Sequence, residues 1–294
     1  MFNCHYSKKG CPIYQLDVNN AFLHGDLDED IFIKPLPGLP DPFPDTVCKL
    51  RKSLYGLKQA SRQWYARLSE ALRSLGFQHS KNDYSLFTKQ EGQSIVILAV
   101  YVDDIVVTGN NADEIMVLKG FLDAKFRIKD LGVLCYFLGM EIVQVPNGLV
   151  LIQKKFALDL LREFQCDNLP STVCLLGPLS RTSAIEGPLV DATNYRKLVG
   201  KFNYRTNTRP DVAFAVQYLS LFLQAPTKSN MTAALHTLRY IKHNPSQGLF
   251  FNNKPDYSLE AYCDSDWAQY PCTRRSVSGY FVMLGGSPIS RKSK

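Results

Sequence analysis

Three aspartates at predicted strand ends are the side chains best suited to chemistry. Asp17 lies near the end of a short strand at residues 13–18, and Asp103 and Asp104 are adjacent between two runs rich in Val and Ile. A carboxylate in an apolar setting is costly unless it is paired, protonated or bound to a metal. Adjacent carboxylates also repel each other, so a divalent cation is the simplest compensation. Oxygen ligands favour Mg²⁺ or Mn²⁺ over zinc, and two such ions could clamp the attacking and leaving oxygens of a phosphoryl transfer.

The spacing of these aspartates leaves simpler interpretations open. An Asp-Asp pair is also a common polar hairpin turn, and for Asp103 and Asp104 the spacing alone fits a turn about as well as a metal site. Asp17, taken by itself, is typical of a turn or cap residue at a strand end.

Alternation and periodicity predict the elements that would carry these aspartates. Residues 94–108 predict a buried β-hairpin with the Asp-Asp pair at or near its turn. Residues 57–75 and 112–126 predict helices with one apolar face each. A second hairpin is predicted at residues 135–153, around Pro146-Asn147-Gly148. The remaining predictions are a helix at 156–164, three helices at about 191–205, 211–223 and 228–243, and strands from residue 259 and at 276–284.

Basic residues are concentrated in one segment of the chain. The formal net charge is +7, and residues 191–243 hold eight Lys or Arg against two acids. Lys197, Lys201 and Arg205 recur at intervals of four, on the side of a predicted helix opposite its apolar face. Such a row could follow a phosphate backbone, although a solvated helix face has the same pattern.

Cysteine usage and hydropathy restrict the compartment. The eight cysteines are scattered and none forms a CxxC pair, which is typical of reduced intracellular thiols and argues against a structural zinc site. The longest apolar run, residues 95–102, is far too short to span a bilayer. We expect an intracellular protein, with the cytoplasm as the favoured compartment, and no membrane partner.

Many ordered motifs resemble one family. Residues 101–104 (YVDD) resemble the YxDD box of reverse transcriptases. The first and second palm motifs of copia-type retrotransposons resemble residues 15–27 (QLDVNNAFLHGDL) and 54–65 (LYGLKQASRQWY). Further matches are 130–132 (DLG), 136–142 (YFLGMEI), 208–211 (TRPD), 263–268 (CDSDWA) and 273–276 (TRRS). From about residue 13 onward, the chain is similar to a copia-type Pol polyprotein, with a reverse transcriptase domain and the start of an RNase H domain.

The resemblance implies a role for each matching residue. Asp17, Asp103 and Asp104 match the metal-binding catalytic carboxylates, and Phe22 matches the bulky residue that excludes a ribose 2′-OH. The remaining motif matches imply nucleotide or template contact for Gly56, Lys58 and Tyr101, the primer grip for Tyr136, Leu138 and Gly139, and an RNase H metal ligand for Asp264. The positive charge of the later helices and their place after the palm predict that Lys197, Lys201 and Arg205 contact the nucleic-acid backbone.

The resemblance also implies an α+β fold in four parts. These are a reverse-transcriptase palm with an antiparallel sheet and packed helices (1–165), a linker (166–190), a helical basic thumb or connection (191–250), and a truncated RNase H-like start (256–294). The expected fragment lacks fingers before the first motif and the RNase H acids after Lys294, so we expect neither primer extension nor RNase H cleavage by this chain alone.

The implied function is RNA-directed DNA polymerisation. The expected cofactor is Mg²⁺ (or Mn²⁺), and the expected partners are an RNA/DNA template-primer, deoxynucleoside triphosphates and other segments of the polyprotein. Two alternatives stay open: an inactive remnant that binds nucleic acid non-specifically, and a two-metal nuclease. A YxDD hairpin followed by basic helices favours synthesis over cleavage.

Overall fold

The computed structural model describes residues 11–35, 38, 46–176, 187–268 and 274–293. The chain divides into two compact units, Cys11–Leu134 and the segment from Cys135 onward. Both units combine antiparallel sheets with helices, so the expected α+β class is confirmed. None of the helices in the described part is long and apolar enough to cross a membrane.

The first unit is built on a six-stranded antiparallel sheet. Its strands follow the order β4-β5-β6-β7-β1-β8, and β2 and β3 form a separate two-stranded ribbon. The elements are β1 (Ile13–Val18), a 3-10 turn (Ala21–His24), β2 (Phe32–Ile33), β3 (Cys48–Lys49), α1 (Ala60–Ser74), β4 (Gln78–His79), β5 (Leu86–Glu91), β6 (Ser94–Tyr101), β7 (Asp104–Gly109), α2 (Ala112–Phe126) and β8 (Ile128–Val133).

The apolar faces of α1 and α2 form one core with the sheet. Helix α1 contributes residues at helical spacing, and the strands contribute alternate residues, as a half-buried sheet does. The core includes Trp64, Leu68 and Leu72 of α1, Ile115, Leu118 and Leu122 of α2, and Leu16, Leu98, Ile105 and Val107 of the sheet. The predicted helices and the predicted hairpin at 94–108 are therefore confirmed.

In its described residues, the second unit contains four α-helices and two further sheets. Its sheets have the orders β12-β11-β10-β9 and β13-β14-β15. The elements are β9 (Tyr136–Phe137), β10 (Met140–Val145), β11 (Gly148–Ile152), α3 (Lys154–Glu163), α4 (Ala192–Arg205), a 3-10 turn (Pro210–Val212), α5 (Ala213–Ser220), α6 (Lys228–His243), β12 (Leu249–Asn252), β13 (Leu259–Asp266), β14 (Val277–Leu284) and β15 (Ser287–Ser293).

The predicted second hairpin is present as β10 and β11, and β12 extends it by one strand. Gly148 begins β11, where a Cβ atom would lie 2.0 Å from the carbonyl oxygen of Phe251 in β12. Only glycine allows the two backbones to approach this closely. The Asn-Gly turn signal thus also marks a third strand that the sequence analysis did not predict.

The unit boundary differs from the expected palm boundary at residue 165. The division falls between Leu134 and Cys135, because Ala157, Leu160 and Leu161 of α3 pack in the core of the later helices. Cys166, the first residue of the expected linker, is also buried in that core. Residues 177–186, the middle of the expected linker, lie outside the described residues.

Candidate active site

Strand pairing brings the three aspartates together at one end of the neighbouring strands β1 and β7, in the interior of the first unit's sheet. Strands β1 and β7 pair so that Asp17 lies directly opposite Asp104. Tyr101 and Asp104 close the β6–β7 hairpin, which leaves Val102 and Asp103 as its turn. The backbone N–H of Val18 donates to the Asp103 carbonyl at 2.9 Å, so the end of β1 also binds the turn.

The hairpin turn is strained and is held from a second element. Val102 has a φ of 56°, a left-handed conformation that is costly for a β-branched residue. The indole Nε1 of Trp64 in α1 donates to the Val102 carbonyl at 2.7 Å. Trp64 is only 2% exposed, and its ring packs edge-on against Phe126 with 5.1 Å between centroids. Trp64 lies within the predicted helix at 57–75 and within the motif at 54–65, but neither pattern predicted this hydrogen bond.

The electrostatics show that the carboxylates influence each other. Partial burial, and then the negative charges of Asp103 and Asp104, raise the pKa of Asp17, while Lys129 opposes that shift. The side-chain amide of Gln15 donates to Oδ1 of Asp104 at 3.1 Å. Negative charge is therefore concentrated where β1 meets the β6–β7 turn, with Lys129 acting on Asp17 and the neutral amide of Gln15 bound to Asp104.

The carboxylate oxygens at this end of β1 and β7 suit a hard cation. All three side chains offer carboxylate oxygens, which are the ligands that Mg²⁺ and Mn²⁺ prefer. Among the residues that the structure describes, however, no three acidic, imidazole or thiol groups converge into a ready-made metal cage. Asp17, Asp103 and Asp104 thus fit a metal site by type and by strand register, and ligation would require their side chains to turn toward a common point.

An aromatic pair lies beside the carboxylates. Phe22, in the first 3-10 turn, contacts the ring of Tyr55 with 4.3 Å between centroids. Burial, and then the charges of Asp103 and Asp17, raise the pKa of the Tyr55 hydroxyl. Tyr55 is 53% exposed and Tyr101 is 57% exposed, so both rings can be contacted from solution. Tyr55 lies within the motif at 54–65, which predicted no role for it.

The other predicted nucleotide or template residues take different places. Gly56 follows Tyr55 with a φ of 97°, and Lys58 is exposed two residues before the start of α1. A cavity of about 300 Å³ opens near Phe22. Its lining consists mainly of the apolar and aromatic side chains Phe22, Trp64, Tyr65, Tyr84, Val100 and Val102.

The predicted primer-grip residues form a tight turn in the second unit. Tyr136 pairs with Glu141 across the β9–β10 hairpin, and Leu138 and Gly139 at its tip both have positive φ, 48° and 75°. The hydroxyl of Tyr204 in α4 donates to the Leu138 carbonyl. A Cβ atom at Gly139 would lie 2.1 Å from that hydroxyl, so glycine is required for this contact.

A basic groove adjoins this hairpin. Its volume is about 660 Å³, and its charged and aromatic lining residues are Tyr136, Glu141, Lys154, Lys155, Asp159 and Arg162. Glu141 accepts a hydrogen bond from the backbone N–H of Lys155 at the start of α3. Lys154 and Lys155 are exposed and form no ion pair within the described part of the chain. No pattern in the sequence predicted this groove.

The predicted backbone-binding residues Lys197, Lys201 and Arg205 do not form one exposed row on α4. Lys197 and Lys201 both bind Glu163 at the end of α3, with 2.5 Å from Lys197 Nζ to Oε1. Hydrogen bonds from these lysines hold the pKa of Glu163 below its ordinary value. Arg205 is fully buried and donates to Thr208 Oγ1 at 3.0 Å and to the Pro245 carbonyl at 2.9 Å. Interhelical packing, which periodicity alone does not reveal, decides this outcome.

Other cations of the basic segment also bind within the fold. Arg209 forms two hydrogen bonds to Asp211, at 2.9 and 2.7 Å, and Tyr240 donates to the same carboxylate at 2.9 Å. Arg196 and Arg239 donate to backbone carbonyls, each at 2.7 Å. The concentrated positive charge of residues 191–243 is therefore used largely for internal contacts.

Asp264 lies on β13, opposite Gly279 of β14, and is exposed. Its Oδ1 accepts from the backbone N–H of Ser265, and it belongs to no metal-binding group among the residues described. Strands β13 and β14 agree with the predicted strands, β15 was not predicted, and the RNase H-like assignment stays a prediction.

Comparison with known proteins identifies the family. The family described as reverse transcriptase (RNA-dependent DNA polymerase) matches residues 4–176. The chain is 44% identical over 285 residues to the Pol polyprotein of transposon RE1 from Arabidopsis thaliana, covering 96% of this chain and 19% of that relative. It is 36% identical to the Pol polyprotein of transposon TNT 1-94 from Nicotiana tabacum, covering 96% of this chain and 22% of the relative.

A third relative has a similar length. It is the putative transposon Ty5-1 protein of Saccharomyces cerevisiae, 31% identical, with 95% of this chain and 92% of that protein covered. The chain spans about a fifth of the length of the polyproteins it matches. The ordered motifs, the Asp17–Asp104 pairing and these similarities together show that the chain belongs to the reverse transcriptases of copia-type retrotransposon Pol polyproteins.

Proposed function

We propose that this chain supplies the catalytic palm of an RNA-directed DNA polymerase, in which Asp17, Asp103 and Asp104 hold two Mg²⁺ (or Mn²⁺) ions. The observation that carries this proposal is the β1–β7 register, which sets Asp17 opposite Asp104 with Asp103 in the adjoining turn. Burial and then repulsion from Asp103 and Asp104 raise the pKa of Asp17, and bound cations would offset that repulsion. They would also supply charge stabilisation for the phosphoryl group in transfer.

The residues around the carboxylates are suited to orient a deoxynucleoside triphosphate. In the proposed reaction the primer 3′-OH attacks the α-phosphorus of the triphosphate and pyrophosphate leaves. The ring of Phe22 would exclude a ribose 2′-OH. Its position is supported by the contact with Tyr55, and the exposed Tyr101, Gly56 and Lys58 would border the nucleotide or template.

We place the nucleic-acid contacts of the second unit in the basic groove beside Tyr136. Lys154, Lys155 and Arg162 line that groove. Arg162 pairs with Asp159, whereas the two lysines form no ion pair within the described residues. In contrast, Lys197 and Lys201 share the carboxylate of Glu163. Cations that are not neutralised within the protein are the ones available to phosphates.

Metal binding by the chain itself gives the first test. Titration with Mn²⁺ in a calorimeter should show binding that Asp17→Asn and Asp103→Asn each weaken. Asp123→Asn is the matched control, because Asp123 is an exposed carboxylate of the same unit. Equal binding by all four proteins would contradict the assignment of the carboxylates.

Polymerisation itself is best tested in a chimera. Residues 11–293 would replace the matching segment of the RE1 polyprotein, of which this chain covers only 19%. We expect primer extension on an RNA template by the chimera and none after Asp103→Asn. Extension that survives Asp103→Asn would remove the catalytic assignment.

A further inference from the structure

The two peptide units that flank Asp103 are each held by a hydrogen bond from a different element. The carbonyl of Val102 belongs to the unit that joins Val102 to Asp103, and it accepts from Trp64 Nε1 of α1. The carbonyl of Asp103 belongs to the next unit, and it accepts from the Val18 N–H of β1. Because a peptide unit is planar, the two bonds together fix the direction in which the Asp103 side chain leaves the backbone.

The Trp64 bond acts on the strained side of Asp103. Val102 occupies a left-handed conformation, with φ at 56°, which persists only where the surroundings over-determine it. Trp64 can provide that constraint because it is nearly inaccessible to solvent and its ring contacts both Phe126 and His24. A buried indole N–H without an acceptor would be costly. The hydrogen bond therefore satisfies the Trp64 N–H and also constrains the Val102 carbonyl of the turn.

We infer that Trp64 is a positioning residue for Asp103: its indole N–H holds the turn in the geometry that the metal-binding carboxylate needs. This inference rests on the proposed metal-binding function. It gives Trp64 a role that differs from its packing role, because packing uses the ring faces and edges while positioning uses a single N–H. The two roles can therefore be separated by substitution.

The test compares loss of the N–H with loss of core volume. Trp64→Phe keeps an aromatic ring but removes the donor. Replacing Trp64 by 3-benzothienylalanine keeps the bicyclic shape with sulfur in place of N–H, so it also covers the case in which Trp64→Phe does not fold. Leu72→Ala is the matched control, since Leu72 is a fully buried residue of the same helix that does not contact the turn through a hydrogen bond.

Two measurements are made on the intact chain. The first is Mn²⁺ affinity, for which we expect the donor-free variants to lose about 10-fold, as outer-shell substitutions do, while Leu72→Ala changes it less than about two-fold. The second is hydrogen exchange of the Val18 amide relative to the Leu16 amide of the same strand. That ratio should rise in the donor-free variants and stay unchanged in Leu72→Ala.

The outcomes separate this inference from the proposed function. The 3-benzothienylalanine variant could affect both measurements as Leu72→Ala does, or it could behave as the wild type in both. Either outcome would show that Trp64 acts only through packing. If the wild-type chain binds no Mn²⁺, the proposed function fails. The exchange ratio then still decides whether Trp64 holds the turn, and an unchanged ratio would overturn the inference.

Discussion

Arg209 and Asp211 form a two-point ion pair in which Arg209 Nε and Nη2 each donate to a different carboxylate oxygen of Asp211. The side chain of Arg209 is 2% exposed and that of Asp211 is 30% exposed. The same arginine donates to the Asn244 carbonyl at 3.0 Å. The TRPD motif at 208–211 thus acts as a structural connection between the segment after α4 and the end of α6.

Asp211→Asn should destabilise the chain by on the order of 3 kcal/mol at neutral pH, because it leaves Arg209 buried without its carboxylate. Burial raises the pKa of Asp211, but the hydrogen bonds from Arg209 and Tyr240 outweigh it and the net pKa is lowered. A lowered folded-state pKa contributes stability above the ordinary carboxyl value, about 3.9, and that stability is lost as the pH falls through the folded-state value. Urea unfolding at several pH values measures the difference in the free energy of unfolding between the wild type and Asp211→Asn, and this difference should shrink in acid. Asp159→Asn, at an exposed ion pair, should cost less than about 1 kcal/mol.

Replacing Lys154 and Lys155 by Gln should weaken nucleic-acid binding and flatten its dependence on salt. Two lost phosphate contacts on a duplex reduce the slope of log affinity against log salt by about two units. Fluorescence anisotropy with a labelled hybrid duplex gives that slope. Lys197→Gln with Lys201→Gln is the matched pair, since these lysines already share Glu163. A larger change in the salt slope for the Lys197/Lys201 variant than for the Lys154/Lys155 variant would show that α4 binds the nucleic acid.

Arg205→Met should lower stability while leaving the salt slope unchanged. The guanidinium donates inside the fold to Thr208 and to the Pro245 carbonyl, and burial lowers its pKa to about 10. Removing a donor from buried acceptors costs about 1–3 kcal/mol. Denaturant unfolding and anisotropy on the same preparation separate the two effects. A flatter slope with unchanged stability would show that Arg205 reaches nucleic acid.

Asp103→Asn should stabilise the metal-free chain and remove its stabilisation by Mn²⁺. The substitution relieves the repulsion that contributes to the raised pKa of Asp17. We expect a gain of roughly 1–3 °C in Tm, which corresponds to less than about 1 kcal/mol in a domain of this size. A ligand that binds only the folded state raises Tm with concentration, so the wild type should show a Mn²⁺-dependent increase that the variant lacks. Thermal scans with and without Mn²⁺ measure both effects, and an identical Mn²⁺ response would contradict the prediction.

Gly139→Ala should be costly in a way that depends on Tyr204. The added Cβ would lie 2.1 Å from the Tyr204 hydroxyl, and the φ of 75° disfavours any residue with a side chain. We expect a loss of about 2–3 kcal/mol in the wild type and about 1 kcal/mol in a Tyr204→Ala background. A double-mutant cycle from urea unfolding gives the coupling energy. Additive losses would show that the backbone strain alone determines the cost.

The elements around the carboxylates could be predicted from the sequence because their signals are local. The apolar runs flanking Asp103 and Asp104 form the hairpin β6–β7, and the periodic segment from residue 112 forms α2 with Asn111 as its side-chain cap. The edge strand β8 was not predicted. Most of its residues are exposed, so its sequence lacks the alternation that marks a half-buried strand.

Contacts between distant segments could not be predicted in the same way. The hydrogen bond from Trp64 to Val102 joins residues 38 positions apart, and its donor lies on a ring that periodicity classifies as core. Arg205 shows the converse, because its spacing from Lys201 is that of a surface row and yet it is buried. Both cases depend on which neighbour an element packs against, which the pattern of one segment does not contain.

Strand β1 has a consequence for the order in which the chain can fold during synthesis. It precedes the other described elements of its unit, and both of its partners, β7 and β8, follow about 90 residues or more later. In contrast, β4 to β7 pair with their immediate neighbours along the chain. Pairing across such a separation requires closure of a long loop and is slow compared with local hairpins. A ribosome that has released residues 11–100 has therefore exposed a strand without partners, and a chaperone that shields apolar strands would act at that stage.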